Sequence, residues 1–412
     1  MMVNQQQITK LSNGLTLIVE EMDAVKSVAY TLIVPTGIVH DKIETIGASL
    51  LLTELTTKGA GNRSSRELSE AFDDIGARHS ESSSAYTASY SGSLLAENLD
   101  AALPLVADMV RRPQLPKEEI DNIRSLLLQD IYSIKDNPSR RVMNELTQLY
   151  FPEPFNRPSS GEAEGIGKIT INELKELFER TYSPNGAVLS IAGNVNAVQV
   201  EKLIQNLFSD WKGEKIELPK FGPMPKRGMH HIQVEAAQLQ ISLAYPSTKF
   251  AADGYYASRV ASDILSGGMF GRLFIEVREK RGLCYTVYLS TSSTSLSGVN
   301  VAYAGTTPER AQETFDVMMA ELKKVKGTVT EEELSRSKAN IKASLVMSEE
   351  SSASRAGSNA SDWWWLQRLR SLDEIQDSIQ AVTFRDIDRY FEDYPCDQPM
   401  IVTLGSKELK YA

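Results

Sequence analysis

The chain carries four histidines, His40, His79, His230 and His231, and two cysteines, Cys284 and Cys396. No two histidines stand four apart, the spacing that places two ligands on one helix face around one metal ion. The adjacent His230 and His231 alternate sides if they lie on a strand. Neither cysteine has a histidine nearby in sequence, no G-x-S-x-G appears, and no Gly-Lys-Ser/Thr follows Gly267-Gly268. Self-contained metal, nucleophile and phosphate-loop chemistries find no support in these patterns. Arg278 and Tyr285, two hydrogen-bond donors seven residues apart, gain no role from these patterns alone. Arginine offers a planar fork to a carbonyl, and tyrosine donates to an oxygen that gains charge. Spacing alone equally allows an ion pair of Arg278 with Glu276 or Glu279 and a Tyr285 that plugs the core.

Local patterns place this pair. The stretch from Arg272 to Arg281 reads as a helix with Lys280 and Arg281 at its C-terminal dipole. Gly282 permits a left-handed cap, and Tyr285 opens a strand, so both side chains converge from a helix end and a strand start. Just before them, Ser266-Gly267-Gly268 is a loop whose bare backbone allows close approach by a ligand, or simply a turn.

These elements belong to a repeating order. In the first half, Ala24 to Pro35 alternates as a strand, and Ile46 to Leu55 and Ser65 to Ile75 read as helices. Ser82 to Ser93 alternates again, Asn98 to Val110 is amphipathic, and a helix runs from about Pro116 to Ile134. The second half replays this. Gln238 to Tyr245 is a strand, Tyr256 to Leu265 and Phe270 to Arg281 are helices, and Tyr285 to Ser293 and Val299 to Gly305 are strands. Helices follow over Pro308 to Val325 and from Thr330 onward. Strands neighbouring in sequence with helices grouped between them predict an α+β fold of two homologous halves, each an antiparallel-rich sheet with helices packed on one face. The expected domains are 1–211 and 230–412, joined by a Pro- and Gly-broken linker at 212–229.

Composition sets outer bounds. A length of 412 residues fits two domains or more. The net charge of −10, with no basic cluster, argues against a nucleic-acid partner. No apolar run reaches the roughly 18 residues that span a bilayer. The start, Met1-Met2-Val3-Asn4-Gln5-Gln6-Gln7, has no export-signal pattern, so a cytoplasmic location is the expectation. Trp363-Trp364-Trp365 point about 100° apart on a helix, so they either pack on two sides within the chain or reach a partner.

Three segments resemble the pitrilysin-type (M16) metallopeptidases, nearest to their small-subunit bacterial and mitochondrial processing-peptidase (M16B) branch. They are Gly37 through Lys58-Gly59-Ala60-Gly61-Asn62-Arg63-Ser64, the loop Leu265 to Phe274, and Glu276-Val277-Arg278-Glu279-Lys280-Arg281-Gly282-Leu283-Cys284-Tyr285. The resemblance implies two halves that close as part of a clam-shell chamber around an unfolded peptide. It implies a zinc motif, H-x-x-E-H, just ahead of Lys58. Here Leu50, Thr53 and Glu54 stand at those positions, and Asp130 stands where the family has its third ligand. Leucine has no lone pair and threonine is a poor base, so these positions are degenerate and no metal or other cofactor is expected in this chain.

By the same resemblance, Arg278 and Tyr285 complete the active site of another subunit, and Gly267 and Gly268 contact substrate. The implied function is a catalytically incomplete subunit of a heterodimeric zinc peptidase, inactive alone. Its expected partner is an H-x-x-E-H subunit that holds the zinc and hydrolyses peptides. A self-paired homodimer of the isolated chain stays open. The alternative is a non-enzymatic scaffold or peptide-binding core subunit. The family grips substrate by strand addition near Ala77 to Ser82, where Ser80-Glu81 replaces its frequent Asn-Ala.

Overall fold

A computed structural model describes residues 6–411. It divides into two compact units that interleave in sequence. The first comprises the chain up to Ser133, Arg157–Lys220 and Ser348–Leu369. The second comprises Ile134–Asn156, Phe221–Met347 and the chain from Arg370 onward. Each unit thus takes one segment from the opposite half of the sequence, an exchange that linear boundaries at 211 and 230 do not contain.

The first unit is built on strands β1 (Gln6–Lys10), β2 (Thr16–Glu21), β3 (Ser27–Val34), β6 (Arg78–Ser83), β7 (Ala88–Leu95) and β8 (Val188–Gly193). Their order is β1-β2-β8-β3-β7-β6, and every pairing is antiparallel except β2 with β8. A two-stranded hairpin, β4 (Gly59–Ala60) and β5 (Arg63–Ser64), sits between α1 (Ala48–Thr56) and α2 (Ser65–Asp74). The remaining helices are α3 (Leu99–Arg111), α4 (Ile120–Lys135), α6 (Ala163–Lys168), α7 (Ile171–Thr181), α8 (Ala197–Phe208) and α12 (Ser352–Leu366).

The second unit has the sheet β11 (Cys284–Ser293), β12 (Gly298–Thr306), β10 (Leu239–Ser247), β13 (Met400–Gly405) and β9 (Met229–Gln233), in that order. Its helices are α5 (Pro138–Tyr150), α9 (Tyr255–Ser266), α10 (Ala311–Lys324), α11 (Glu331–Glu349), α13 (Leu372–Ala381) and α14 (Phe384–Asp393). The order β3-α1-α2-β6-β7-α3-α4 matches β10-α9-(helical turn)-β11-β12-α10-α11, the repeat read from the sequence. It continues further: Thr170 and Glu173 form a capping box that opens α7, and Thr383 and Asp386 form one that opens α14.

Each sheet is covered on both faces. In the first unit Leu17, Val19, Val28, Leu32 and Leu189 join the large core, while their neighbours Ile18, Ile33 and Val188 face the other way onto Ala360, Trp363 and Trp364 of α12. In the second unit Ile241 and Leu243 join the main core, and Ala244, Met400, Val402 and Leu404 face Val142, Leu146 and Tyr150 of α5. The expectation of helices on one face alone is therefore extended by a single helix on the other. The cause is two-sided hydrophobicity: β8 is buried at every position, so its outward side chains need a cover. Burying an apolar side chain of this size is worth about 1.5–3 kcal/mol.

The helix α12 is also pinned electrostatically. Arg355 Nη2 lies 2.8 Å from Glu20 Oε2, with both side chains buried. Arg355 Nε and Asn359 Nδ2 donate to the same carboxylate, and Arg355 also pairs with Glu349. Burial alone pushes the Glu20 pKa up, but the Arg355 hydrogen bonds and charge outweigh it and hold Glu20 below its ordinary value.

Candidate functional site

The glycine loop and the Arg/Tyr pair lie in the second unit. Helix α9 ends where the Gly267 N–H donates to the Asp263 carbonyl at 2.6 Å. A Cβ at Gly267 would meet Asp263 atoms at 2.3–2.5 Å, so no side chain fits there. Gly268 has φ +96, a conformation that favours glycine. Ser266 Oγ accepts the Leu289 N–H at 2.9 Å and ties the loop to β11.

The expected helix after this loop is present but wound differently. Residues Phe274–Glu279 form a π-helix, marked by the Lys280 N–H donating to the Ile275 carbonyl five residues back. Such segments insert an extra residue per turn and re-aim side chains, often at functional sites. Arg272 fixes its start with two bonds to Glu333, at 2.6 and 2.7 Å. Gly282, at φ +59, ends it in the left-handed conformation that glycine provides.

The pair then converges. The Arg278 guanidinium carbon sits 4.8 Å from the Tyr285 ring centroid and 4.6 Å from that of Phe274. Its ion pair with Glu279 is long, 3.8 Å, whereas Glu276 is taken by Lys280 and Arg281. Tyr285 is 78% exposed, so it does not plug the core. Two aromatic rings hold the guanidinium in place, and its fork and the phenol O–H are presented together on the surface. Next to them, burial pushes the Cys284 thiol up to about 11, which keeps it protonated and unreactive near neutral pH.

The degenerate metal positions lie on α1 of the first unit. Asp41 starts this helix by accepting the N–H groups of Gly47 and Ser49, at 2.8 and 3.0 Å. Leu50 is half-buried. Thr53 is buried and donates to the Ser49 carbonyl at 2.8 Å. Beside it, Thr56, Tyr90 and Tyr182 form a chain of hydroxyls at 2.8 and 2.7 Å. Hydroxyls packed in the core occupy this position, where the resemblance implies a catalytic base. Glu54 is half-buried, and its charged neighbours are Glu81 on β6 and Lys58. Asp130 stands exposed on α4. Among the described residues no three of His, Cys, Asp or Glu are grouped to hold a metal ion. Leucine, threonine and one carboxylate do not fit catalytic zinc, which takes three protein ligands and a water.

Burial, and then the Glu81 charge, raise the Glu54 pKa above its ordinary 4.5. A raised acid favours the folded state only when protonated, a gain complete below the unfolded value and lost as pH rises through the folded one. Glu54→Gln is therefore expected to stabilise the protein at pH 7 by about 0.2–1 kcal/mol, the scale of a partly exposed charge pair. That advantage fades on acidification toward pH 4.5, as a thermal-melting series will measure.

Two further features bear on the sequence reading. The run Ser82 to Ser93 is a hairpin, not one strand. Ser84 Oγ accepts the N–H groups of Tyr86 and Thr87, at 3.2 and 3.0 Å, and turns the chain without glycine or proline. The tryptophans also find partners inside the first unit: Trp363 and Trp364 pack on the sheet, and Trp365 meets Tyr86 edge-to-face at 5.2 Å.

Comparison with known proteins agrees with this architecture. Residues 17–160 match the family model described as "Insulinase (Peptidase family M16)", and residues 168–341 match "Peptidase M16 inactive domain". An uncharacterized zinc protease of Rickettsia felis is 28% identical over 92% of this chain and 92% of its own length. One from Bacillus subtilis is 29% identical over 91% and 92%. A crystal structure of a peptidase M16 inactive domain from Pseudomonas fluorescens shares the fold at TM-score 0.89 and 22% identity, covering 99% of both chains. A protease from Helicobacter pylori gives TM-score 0.90 at 22% identity, over 98% of this chain and 100% of that one. Two family models that together span most of the sequence, and a fold repeated end to end in these structures, make this chain a member of peptidase family M16.

Proposed function

We propose that this chain is the catalytically incomplete subunit of a heterodimeric M16B-type zinc peptidase. The observation that carries the reading is the contrast between its two candidate centres. The helix α1 offers leucine and a buried threonine where zinc chemistry needs a ligand and a base. Arg278 and Tyr285 remain stacked and surface-presented. Zinc and the activated water belong to an H-x-x-E-H partner, and this chain adds donors for the substrate carbonyl and its developing oxyanion. The edge strand β6, paired only to β7, leaves one backbone side open for an extended peptide. No described helix is long and apolar enough to cross a membrane, and a cytoplasmic location is part of the proposal.

Affinity purification from the native cell tests the assembly. The expected co-purifying protein is an M16 subunit of similar size with an intact motif, and the mixture cleaves peptides that neither chain cleaves alone. Recovery with respiratory membrane subunits instead favours the scaffold alternative.

A further inference from the structure

Early in α11, Glu333, Arg336, Ser337 and Asn340 follow the i, i+3, i+4, i+7 spacing that sets side chains along one helix face. All four are polar, and all four line one small cleft with Asp263, Gly267 and Phe270 of the segment that ends α9 and makes the glycine loop. Each has a partner there. Glu333 takes the two Arg272 bonds given above, and Arg272 also donates to the Thr328 hydroxyl and carbonyl at 2.8 and 2.7 Å. The Arg336 guanidinium carbon lies 4.8 Å from the Phe270 ring centroid. Ser337 and Asn340 hydrogen-bond to the Asp263 carboxylate, and the Asp263 carbonyl accepts the Gly267 N–H. The chain from Asp263 to Arg272 is thus tied to this one helix face by bonds that fix direction as well as distance.

Arg278 needs such an external frame. Its guanidinium donates no hydrogen bond among the described residues, and its Glu279 contact is 3.8 Å, so the rings of Phe274 and Tyr285 are what hold it. Phe274 opens the π-helix, two residues after Arg272. Leu273 and Val277 fix the depth of this segment by burial in the core. Apolar burial is non-directional and leaves rotation about the segment axis free. The Arg272–Glu333 pair supplies the missing direction, because a guanidinium fork on a carboxylate is planar and bidentate. With side chains only 11% and 21% exposed, the pair is also little screened by salt. A small rotation here carries the Phe274 ring, and with it the Arg278 guanidinium, away from Tyr285.

We propose that Glu333 is a positioning residue for Arg278, acting through Arg272 and Phe274 to hold the guanidinium against Tyr285. For its effect on turnover the inference rests on the subunit reading above. The placement of Arg278 itself requires only this chain.

The test has two arms. In the full chain alone, with isotope-labelled arginine, the Arg278 Nε–H resonance is assigned by its loss in Arg278→Ala. It should show a ring-current shift from Phe274 and Tyr285, and Glu333→Ala should remove most of that shift. In the enzyme assembled with its H-x-x-E-H partner, Glu333→Ala should lower kcat about tenfold or more and change KM less than about twofold. In an Arg278→Ala background the same substitution should cost less than about twofold further. Arg272→Lys, which keeps the charge and loses the fork, should behave like Glu333→Ala. Thr330→Ala controls for general loosening. It removes the hydroxyl that accepts the Glu333 N–H at 3.2 Å at the start of α11 but leaves the Arg272 fork. It should lower the thermal midpoint and leave kcat at the parental value. An unmoved Arg278 resonance in Glu333→Ala, an equal cost of Glu333→Ala with and without Arg278, or an equal loss of kcat in Thr330→Ala overturns the proposal. An unmoved resonance together with Arg278-dependent turnover removes the positioning role and leaves the subunit reading. A moved resonance in an assembly whose turnover ignores Arg278→Ala does the reverse.

Discussion

Arg278→Ala and Tyr285→Phe are each expected to lower turnover of the assembled peptidase by ~10²–10³. On the proposed reading both remove a donor that acts on charge developing in the transition state, so kcat is expected to fall more than KM rises. Folding is expected to survive, because Tyr285 is 78% exposed and Arg278 holds only a 3.8 Å ion pair and two ring contacts. Arg278→Lys should rescue little. Lysine keeps the charge but not the planar fork, and it stacks less well between Phe274 and Tyr285. Steady-state kinetics of each variant with the native partner, alongside thermal melting, separate lost chemistry from lost structure. If both variants leave turnover unchanged while folded, the pair has no role in the reaction.

The second large effect concerns the helix that α12 lends to the first unit. Arg355→Ala should cost ~3–5 kcal/mol, because it takes the neutralising guanidinium from the fully buried Glu20 carboxylate. Replacing both partners with methionine should cost far less or nothing, since no charge is left unpaired. The pH dependence has a defined sign. Glu20 is held below its ordinary value, so its contribution is present above the unfolded carboxylate pKa and lost as pH falls through the folded one. Chemical denaturation should show the loss in a transition of the first unit. An Arg355→Ala protein as stable as the parent contradicts the anchoring role.

Much of this architecture was readable from local pattern. Period-two and period-3.6 hydrophobicity placed β3, α1, α9 and β10 within about three residues, because each buries a regular face. The Ser84 turn was not readable, since a side-chain hydroxyl replaces the usual glycine signal. The π-helix was not readable either: Phe274–Glu279 has an ordinary helical composition, and its widening depends on tertiary anchoring at Arg272. The exchange of α5 and α12 escaped for a related reason. Both lie inside their own half of the sequence, and the two-sided apolarity of β8 is the hint that a second cover was needed. The convergence of Arg278 and Tyr285 was expected from a helix end meeting a strand start, while the second aromatic, Phe274, emerged only in three dimensions. The Ser- and Ala-rich composition of α12 serves two faces. Ala356 and Ala360 do pack on the sheet, whereas Ala353, Gly357 and Ser361 line a cavity.

The most direct test of the central claim is the metal content and peptidase activity of the purified chain on its own. Expressed in zinc-supplemented medium and gel-filtered, it should carry far less than one equivalent of zinc and leave unfolded peptides intact until the H-x-x-E-H subunit is added. One tightly held zinc ion per chain, together with hydrolysis in the absence of any partner, would contradict the account.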